Sequence, residues 1–202
     1  MVAEGLVERR RQQTAYDIHV SALELVREFG FDAVTVDAIA AKARISRRTF
    51  FNYYPTKEAA MVQSPELPIA AIAEALDGRV ASPREVFIAV VDLMADALEE
   101  HHPHRQNMRC MLDVASSHPT VLAALMARID MISHKLIEVV APRMGMAVDA
   151  EEPALIAALA STAVRVGVEH WANEPENAEP SSPAMHTRRT ATLISAMFSA
   201  KR

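Results

Sequence analysis

The chain has 202 residues, of which half are hydrophobic, with only five Gly and 5% aromatic residues. Plentiful Ala, Leu, Met and Glu, without alternating Val, Ile and Thr runs between turn pairs, predict an all-α fold and exclude a parallel-sheet enzyme scaffold. A net charge of −5 argues against a general nucleic-acid coat. The N-terminus lacks the apolar segment of a signal peptide and the lone Cys110 suits a reducing compartment, so a soluble cytoplasmic protein is expected.

Pro, Gly and polar breakers divide the chain into about nine predicted helices. The first four are expected over residues 10–30, 35–43, 46–53 and 56–77, the last of these with a break at Pro65 or Pro68. The other five are expected over residues 83–101, 104–116, 119–142, 153–173 and 184–200. The Pro- and Glu-rich segment 173–183 is expected to be a mobile loop between the last two helices.

Residues 35–57 have the layout of a helix-turn-helix motif. Thr35 can cap a short first helix, and Ser46 can cap a second helix that Pro55 brings to an end. Phe50 and Tyr54 share the inward side of the second helix. Its outward side carries residues that suit base edges and phosphates: Arg47, Arg48, Thr49, Phe51, Asn52 and Tyr53.

This segment, TVDAIAAKARISRRTFFNYYPTK, resembles the DNA-binding region of the TetR family of transcriptional regulators. The similarity extends over about residues 10 to 62, and nearly every position of the family pattern is met. One position departs from it, because the family usually has Gly where this chain has Arg44. Gly takes a left-handed turn easily, so either the turn is strained here or its geometry differs, and Arg44 is then free to add a phosphate contact.

The resemblance implies a role for each matching position. Arg47, Arg48 and Thr49 would approach base edges in the major groove, where Arg typically selects O6 and N7 of guanine. Thr35, Tyr53 and Lys57 would hold phosphates. The full set of expected DNA contacts is Thr35, Arg44, Ser46, Arg47, Arg48, Thr49, Phe51, Asn52, Tyr53 and Lys57.

Charge is divided unevenly along the chain, in a way that supports these roles. Residues 9–57 hold nine Lys or Arg against five Asp or Glu, whereas residues 58–202 hold twelve against nineteen. A basic N-terminal part on an acidic body suits a site-selective DNA binder. Arg9, Arg10 and Arg11 are either an arm along the duplex or simply a solvated helix start. The sequence thus predicts a DNA-binding domain over 1–56 and a ligand-binding and dimerisation domain over 57–202.

The last two predicted helices carry wide apolar faces with small residues, which suits close helix packing. The resemblance implies that these helices form a four-helix interface in a homodimer, as a palindromic operator would require. The alternative is that they only close the core of the monomer. The candidate interface residues are Leu155, Leu159, Thr162, Val166, Leu193, Met197 and Phe198.

The middle helices are unusually rich in Met, a residue that adapts to irregular cavities. A flexible apolar pocket there would admit a small hydrophobic effector. Ordinary core packing is the alternative for each Met, as is a salt bridge for Arg165. The candidate ligand contacts are Phe87, Met94, Met108, Met111, Leu112, Met126, Ile129, His134, Arg165 and Trp171. The C-terminal layout, with SSHP before the long helix and PRMG after it, is similar to mycofactocin-type regulators, some of which sense acyl-CoA.

No catalytic or metal-binding constellation is recognised in the chain. A Gly-rich phosphate loop, a nucleophile elbow and a metal-binding HExxH motif are all missing, and the histidines at 101, 102 and 104 suit a solvated loop. No cofactor is expected. The sequence therefore predicts a ligand-released repressor rather than an enzyme. An activator or ligand-independent DNA binder, and a helical small-molecule-binding protein or enzyme without DNA binding, are the alternatives.

Overall fold

The computed structural model describes residues 2–62, 69–76, 82–101, 103–175 and 179–197. These residues form ten α-helices and no strand, which confirms the all-α fold. In chain order the helices are α1 (Val2–Phe29), α2 (Val36–Lys42), α3 (Arg47–Tyr53), α4 (Lys57–Met61), α5 (Ile69–Ala75), α6 (Pro83–His101), α7 (Arg105–Ser117), α8 (Pro119–Arg143), α9 (Glu151–Ala172) and α10 (Pro183–Met197).

One difference from the expected helices is that α1 begins at Val2 rather than near residue 10. The helix expected over 56–77, with a break, is observed as two helices, α4 and α5. The two candidate breaks, Pro65 and Pro68, lie outside the described residues. No single helix of the described ranges is long and apolar enough to cross a membrane. Helices α7 and α8 pass that test only as a pair, with a bend of 114° between them.

The first compact unit comprises residues Met1–Ser64 and Gln106–Arg128. Its core includes the fully buried Ile18, Phe50 and Met61, together with side chains from α7 and the start of α8. Arg27 ties α1 to α7, since its guanidinium donates to Oδ1 of Asn107 at 3.1 Å and to Oε1 of Gln106 at 2.6 Å. The unit is therefore larger than the segment 1–56 that the sequence marks out, because α4 and residues 106–128 share its core.

The second compact unit comprises Pro65–Arg105 and Ile129–Arg202. Its core is formed by α5, α6, α8, α9 and α10, with Val90, Leu136 and Val140 fully buried. Helices α9 and α10 lie close together at Gly167, where an added Cβ would lie 2.5 Å from the backbone nitrogen of Thr187. The absence of a side chain at Gly167 is therefore what permits this helix-on-helix packing.

Candidate nucleic-acid interface

Side-chain caps begin both helices of the helix-turn-helix motif. Thr35 Oγ1 accepts a hydrogen bond from Ala38 N at 3.2 Å, and Ser46 Oγ accepts one from Thr49 N at 2.9 Å. Each cap satisfies a backbone N–H that has no partner within its own helix. Both caps were predicted from the sequence, and both are confirmed.

Helix α3 is fixed on the first unit by its inward aromatic residues. Phe50 is fully buried and Tyr54 is 9% exposed, which confirms both as core residues. The Tyr54 hydroxyl donates to the carbonyl of Ala15 in α1 at 3.1 Å. Burial raises the pKa of Tyr54, and Arg128 opposes this shift. The phenol is therefore a neutral donor that joins α3 to α1.

The turn between α2 and α3 is left-handed at Arg44. Its φ of 57° is the only positive φ at a residue other than Gly in the described part of the chain. Ile45 N donates to Ala40 O at 2.9 Å, so the turn is closed by its own backbone. The sequence left open whether this turn is strained or has a different geometry. The turn is left-handed, so the backbone of Arg44 is strained. The Arg44 side chain is exposed.

Replacing Arg44 by Gly should therefore change stability and DNA affinity in opposite directions. The free energy of unfolding should rise by about 0.5 to 1 kcal/mol, because Gly relieves the strain but adds entropy to the unfolded chain. Affinity for any duplex should fall severalfold, since one cation is lost from the exposed turn. Urea unfolding and DNA titration measure the two effects. Arg44→Lys, which keeps both charge and strain, is the control, and a loss of stability in Arg44→Gly would contradict the strain.

The outward face of α3 presents cationic, amide and aromatic side chains to solvent. Arg47, Arg48, Phe51 and Asn52 are exposed, whereas Thr49 and Tyr53 are half-buried. The turn and cap residues beside this face, Arg44, Ser46 and Thr35, are also exposed. The structure therefore brings the expected base-reading residues onto one short helix.

Two contacts of Arg47 were not foreseen from the sequence. Its Nη1 lies 2.5 Å from Oδ2 of Asp37 in α2, and its guanidinium lies 5.4 Å from the ring centroid of Phe51. The second contact follows the i to i+4 spacing of a helix and was open to prediction. The first joins two helices across the turn, and no local pattern indicates it.

Lys57 has a structural partner that sequence reasoning missed. Its ammonium donates to the carbonyls of Phe31 at 2.8 Å and Val34 at 3.0 Å, and it lies 4.1 Å from the centroid of the Phe31 ring. The residue thus fastens the loop between α1 and α2 to the start of α4. Its contact with phosphate remains a prediction from the resemblance.

A half-buried histidine joins α1 to α4. Nδ1 of His19 lies 2.8 Å from the carbonyl of Ala60. Burial lowers the pKa of His19, and this hydrogen bond opposes the shift only in part. The ring is therefore held neutral, with Nδ1 as the donor. The position of His19 within the first helix gave no indication of this contact.

The candidate ligand contacts are divided between the two compact units. Four belong to the first unit: Met108, Met111, Leu112 and Met126. Of these, Met111 is buried in the core and Met126 is 45% exposed. Six belong to the second unit: Phe87, Met94, Ile129, His134, Arg165 and Trp171. Phe87 and Met94 are buried in its core, Ile129 is half-buried and His134 is exposed.

The two remaining candidates of the second unit, Arg165 and Trp171, already have partners within it. Arg165 is exposed, and its Nη1 lies 3.3 Å from Oε2 of Glu169, which is the salt bridge considered as its alternative. The Trp171 ring is buried, its Nε1 donates to the carbonyl of Ser181 at 3.2 Å, and the Arg105 guanidinium lies 5.4 Å from its centroid. Trp171 thus anchors the segment between α9 and α10. Contact of Arg165 and Trp171 with an effector stays a prediction.

The candidate dimer residues of α9 and α10 are mostly at the surface. Leu155, Leu193 and Met197 are 59%, 51% and 77% exposed. Thr162 is exposed, and Leu159 and Val166 are half-buried. Phe198 lies outside the described residues.

Two family models match this chain. Residues 18–61 match the model described as bacterial regulatory proteins, tetR family, and residues 79–193 match the model of the MftR C-terminal domain. The second match covers more than half of the chain and agrees with the similarity noted for its C-terminal layout.

Named relatives of this chain are also transcriptional regulators. The transcriptional regulator TcmR of Streptomyces glaucescens is 28% identical over 178 residues, which are 83% of this chain and 76% of that protein. A Mycobacterium tuberculosis protein described as the mycofactocin biosynthesis transcriptional regulator MftR is 48% identical over 59 residues, which are 29% of this chain and only 30% of that protein.

A similar fold occurs in the crystal structure of FadR from Thermus thermophilus, a TetR family transcriptional repressor in complex with lauroyl-CoA. Its TM-score is 0.51 at 22% identity, and the match covers 93% of this chain and 96% of that one. This likeness concerns the fold. Together with the two family models, the capped helix-turn-helix and the all-helical body identify the chain as a member of the TetR family of transcriptional regulators.

Proposed function

We propose that this regulator is a homodimeric, cytoplasmic repressor that binds a palindromic operator and is released by a small hydrophobic effector. The observation that carries the proposal is the exposed face of α3, with Arg47, Arg48 and Asn52 on a helix whose other side is buried. Arg and Asn are side chains that hydrogen-bond base edges in the major groove. In this proposal Arg47, Arg48 and Thr49 read bases. Residues Thr35, Arg44, Tyr53 and Lys57 hold phosphates and set the register.

The test is binding of the purified protein to its own upstream DNA and to a scrambled duplex, each at two salt concentrations. Selective binding of the upstream fragment, with affinity that falls steeply as salt rises, supports the proposal, because phosphate contacts release counterions. Equal and weak binding to both duplexes would overturn it.

Dimerisation is supported by the exposed apolar side chains of α9 and α10. Leu155, Leu193 and Met197 are large and apolar and would otherwise face water. A two-fold dimer also pairs two DNA-binding units with the two halves of a palindrome.

Leu155→Asp should weaken this dimer by about 100-fold or more, because each protomer would bring a carboxylate into an apolar interface. Sedimentation equilibrium across a concentration series measures the change. Leu122→Asp is a matched control, since Leu122 is a leucine of α8 that is 44% exposed and has no place in the proposed interface. A dimer that survives Leu155→Asp unchanged would place the interface elsewhere.

A more specific form of this proposal is that the effector is a fatty-acyl thioester of coenzyme A, whose acyl chain is its hydrophobic part. Support comes from FadR, whose crystal structure is a complex with lauroyl-CoA, and from the apolar helical core around Phe87 and Met94 in this chain. Titration of the protein–operator complex with lauroyl-CoA, free CoA and laurate tests the class. Release by lauroyl-CoA alone supports it, and release by none of the three contradicts it.

Movement of α4 is the proposed route of release. Ala60 and Met61 are fully buried in the first unit, and Ala60 accepts the hydrogen bond from His19. A displacement of α4 must therefore disturb α1 and the loop that Lys57 holds. In a dimer such a displacement would change the distance between the two α3 helices, which are the proposed recognition helices.

A further inference from the structure

The side chain of Arg47 is held in place before any DNA is bound. Asp37 contacts its Nη1 at 2.5 Å from one side, and the Phe51 ring lies 5.4 Å from its guanidinium. The neighbouring Arg48 is also exposed, but within the described residues its side chain has no ion pair or ring partner. The two arginines of the recognition helix thus differ in how far their orientation is fixed in advance.

Asp37 is an unexpected residue for a surface that approaches phosphates. Its side chain is 64% exposed, and it is the second residue of α2, at the end of that helix away from the turn into α3. An acid at this position repels any duplex, whatever its sequence. Asp37 stabilises the N-terminus of α2 through the helix dipole, and its contact with Arg47 gives it a second effect, on the side chain that faces the DNA.

We infer that Asp37 is a positioning residue that sets the specificity of the operator contact made by Arg47. This inference rests on the proposed function, in which Arg47 reads a base. Arg has five N–H donors in a planar group, and the carboxylate engages Nη1, so other donors of Arg47 stay available for guanine. The same carboxylate offsets the charge of Arg47 and weakens its attraction to phosphates.

The relative strengths of these contacts favour such a role. An exposed ion pair shifts an equilibrium by about fivefold at most. A bidentate contact between Arg and guanine discriminates by about 5-fold to 150-fold. The Asp37 pair is therefore strong enough to bias the orientation of Arg47 and too weak to prevent the base contact. The Asp37 pair therefore lowers affinity mainly for duplexes that offer no guanine to Arg47.

Asp37→Asn tests this role by the ratio of operator affinity to scrambled-duplex affinity. Affinity for the scrambled duplex should rise about threefold to fivefold, and the slope of log affinity against log salt should steepen by about one phosphate equivalent. Operator affinity should change much less, so the ratio of operator affinity to scrambled-duplex affinity should fall by about the same factor. Asp37→Ser is the second variant. Both Asp37 variants should lower the ratio of operator affinity to scrambled-duplex affinity, and their melting temperatures should show that they are folded.

Glu58→Gln is the matched control. Glu58 is likewise the second residue of a short helix capped by Thr, since Thr56 accepts from Ala59 N at 3.1 Å. The Glu58→Gln variant loses the same charge as Asp37→Asn and should change the affinities for both duplexes alike. In an Arg47→Ala background, Asp37→Asn should leave the ratio unchanged, because the effect acts through Arg47.

Three results would overturn the assignment: an unchanged ratio in both Asp37 variants, an equal fall in Glu58→Gln, or a further fall in the Arg47→Ala background. Failure of the proposed function is distinguishable from these, because the wild-type protein would then show no preference for its own upstream DNA. That result would remove the basis of the assignment as well.

Discussion

Gly167→Ala should destabilise the second unit by roughly 2 kcal/mol, although Ala is normally the better helix former. The new Cβ would lie 2.5 Å from Thr187 N and 2.6 Å from Thr187 Cα. These are backbone atoms of α10, so the clash cannot be relieved by a side-chain rotation, and the two helices must separate. A chain of this length should lose about 4 to 8 °C of melting temperature.

Thermal and urea unfolding of Gly167→Ala measure this loss, and a surface exchange on the same helix calibrates it. Ala158 is exposed in α9, and Ala158→Gly should cost about 1 kcal/mol through helix propensity alone. If Gly167→Ala were as stable as the parent, the close approach of α9 and α10 would be wrong. Because these helices also carry the proposed dimer surface, the variant should associate more weakly as well.

Arg47→Ala should reduce operator affinity by about 5-fold to 150-fold, which corresponds to about 1 to 3 kcal/mol. The loss should appear at one base-pair position, where the variant no longer distinguishes guanine, because the other contacts of α3 are retained. Affinity for a scrambled duplex should change much less, since Asp37 already offsets the charge of this side chain. Titration of operators that differ by single base pairs measures the effect.

Arg165→Ala is the control for this substitution. It removes an exposed Arg that is also paired with an acid, Glu169, but that lies in α9 of the other unit. Operator affinity should stay within about twofold of the parent for this variant, as for most surface substitutions. A uniform loss on all duplexes with Arg47→Ala would instead mark Arg47 as a phosphate contact.

Much of the DNA-binding motif could be predicted because its determinants are local. The caps of Thr35 and Ser46 and the inward positions of Phe50 and Tyr54 depend on residues three or four positions away. Spacing of this kind is visible in the sequence. The strain at Arg44 was foreseen as one of two possibilities, and only the backbone of the folded chain decided between them.

The sequence by itself determined the all-α class, most helix positions and the outward face of α3, because caps, breakers and helical periodicity act over a few residues. Tertiary structure alone decided that Lys57 bonds two carbonyls of a loop more than 20 residues before it, that Asp37 meets Arg47, and that residues 106–128 share a core with the N-terminal helices. These contacts depend on how separate helices pack, and packing follows from the fit of whole surfaces rather than from any short pattern.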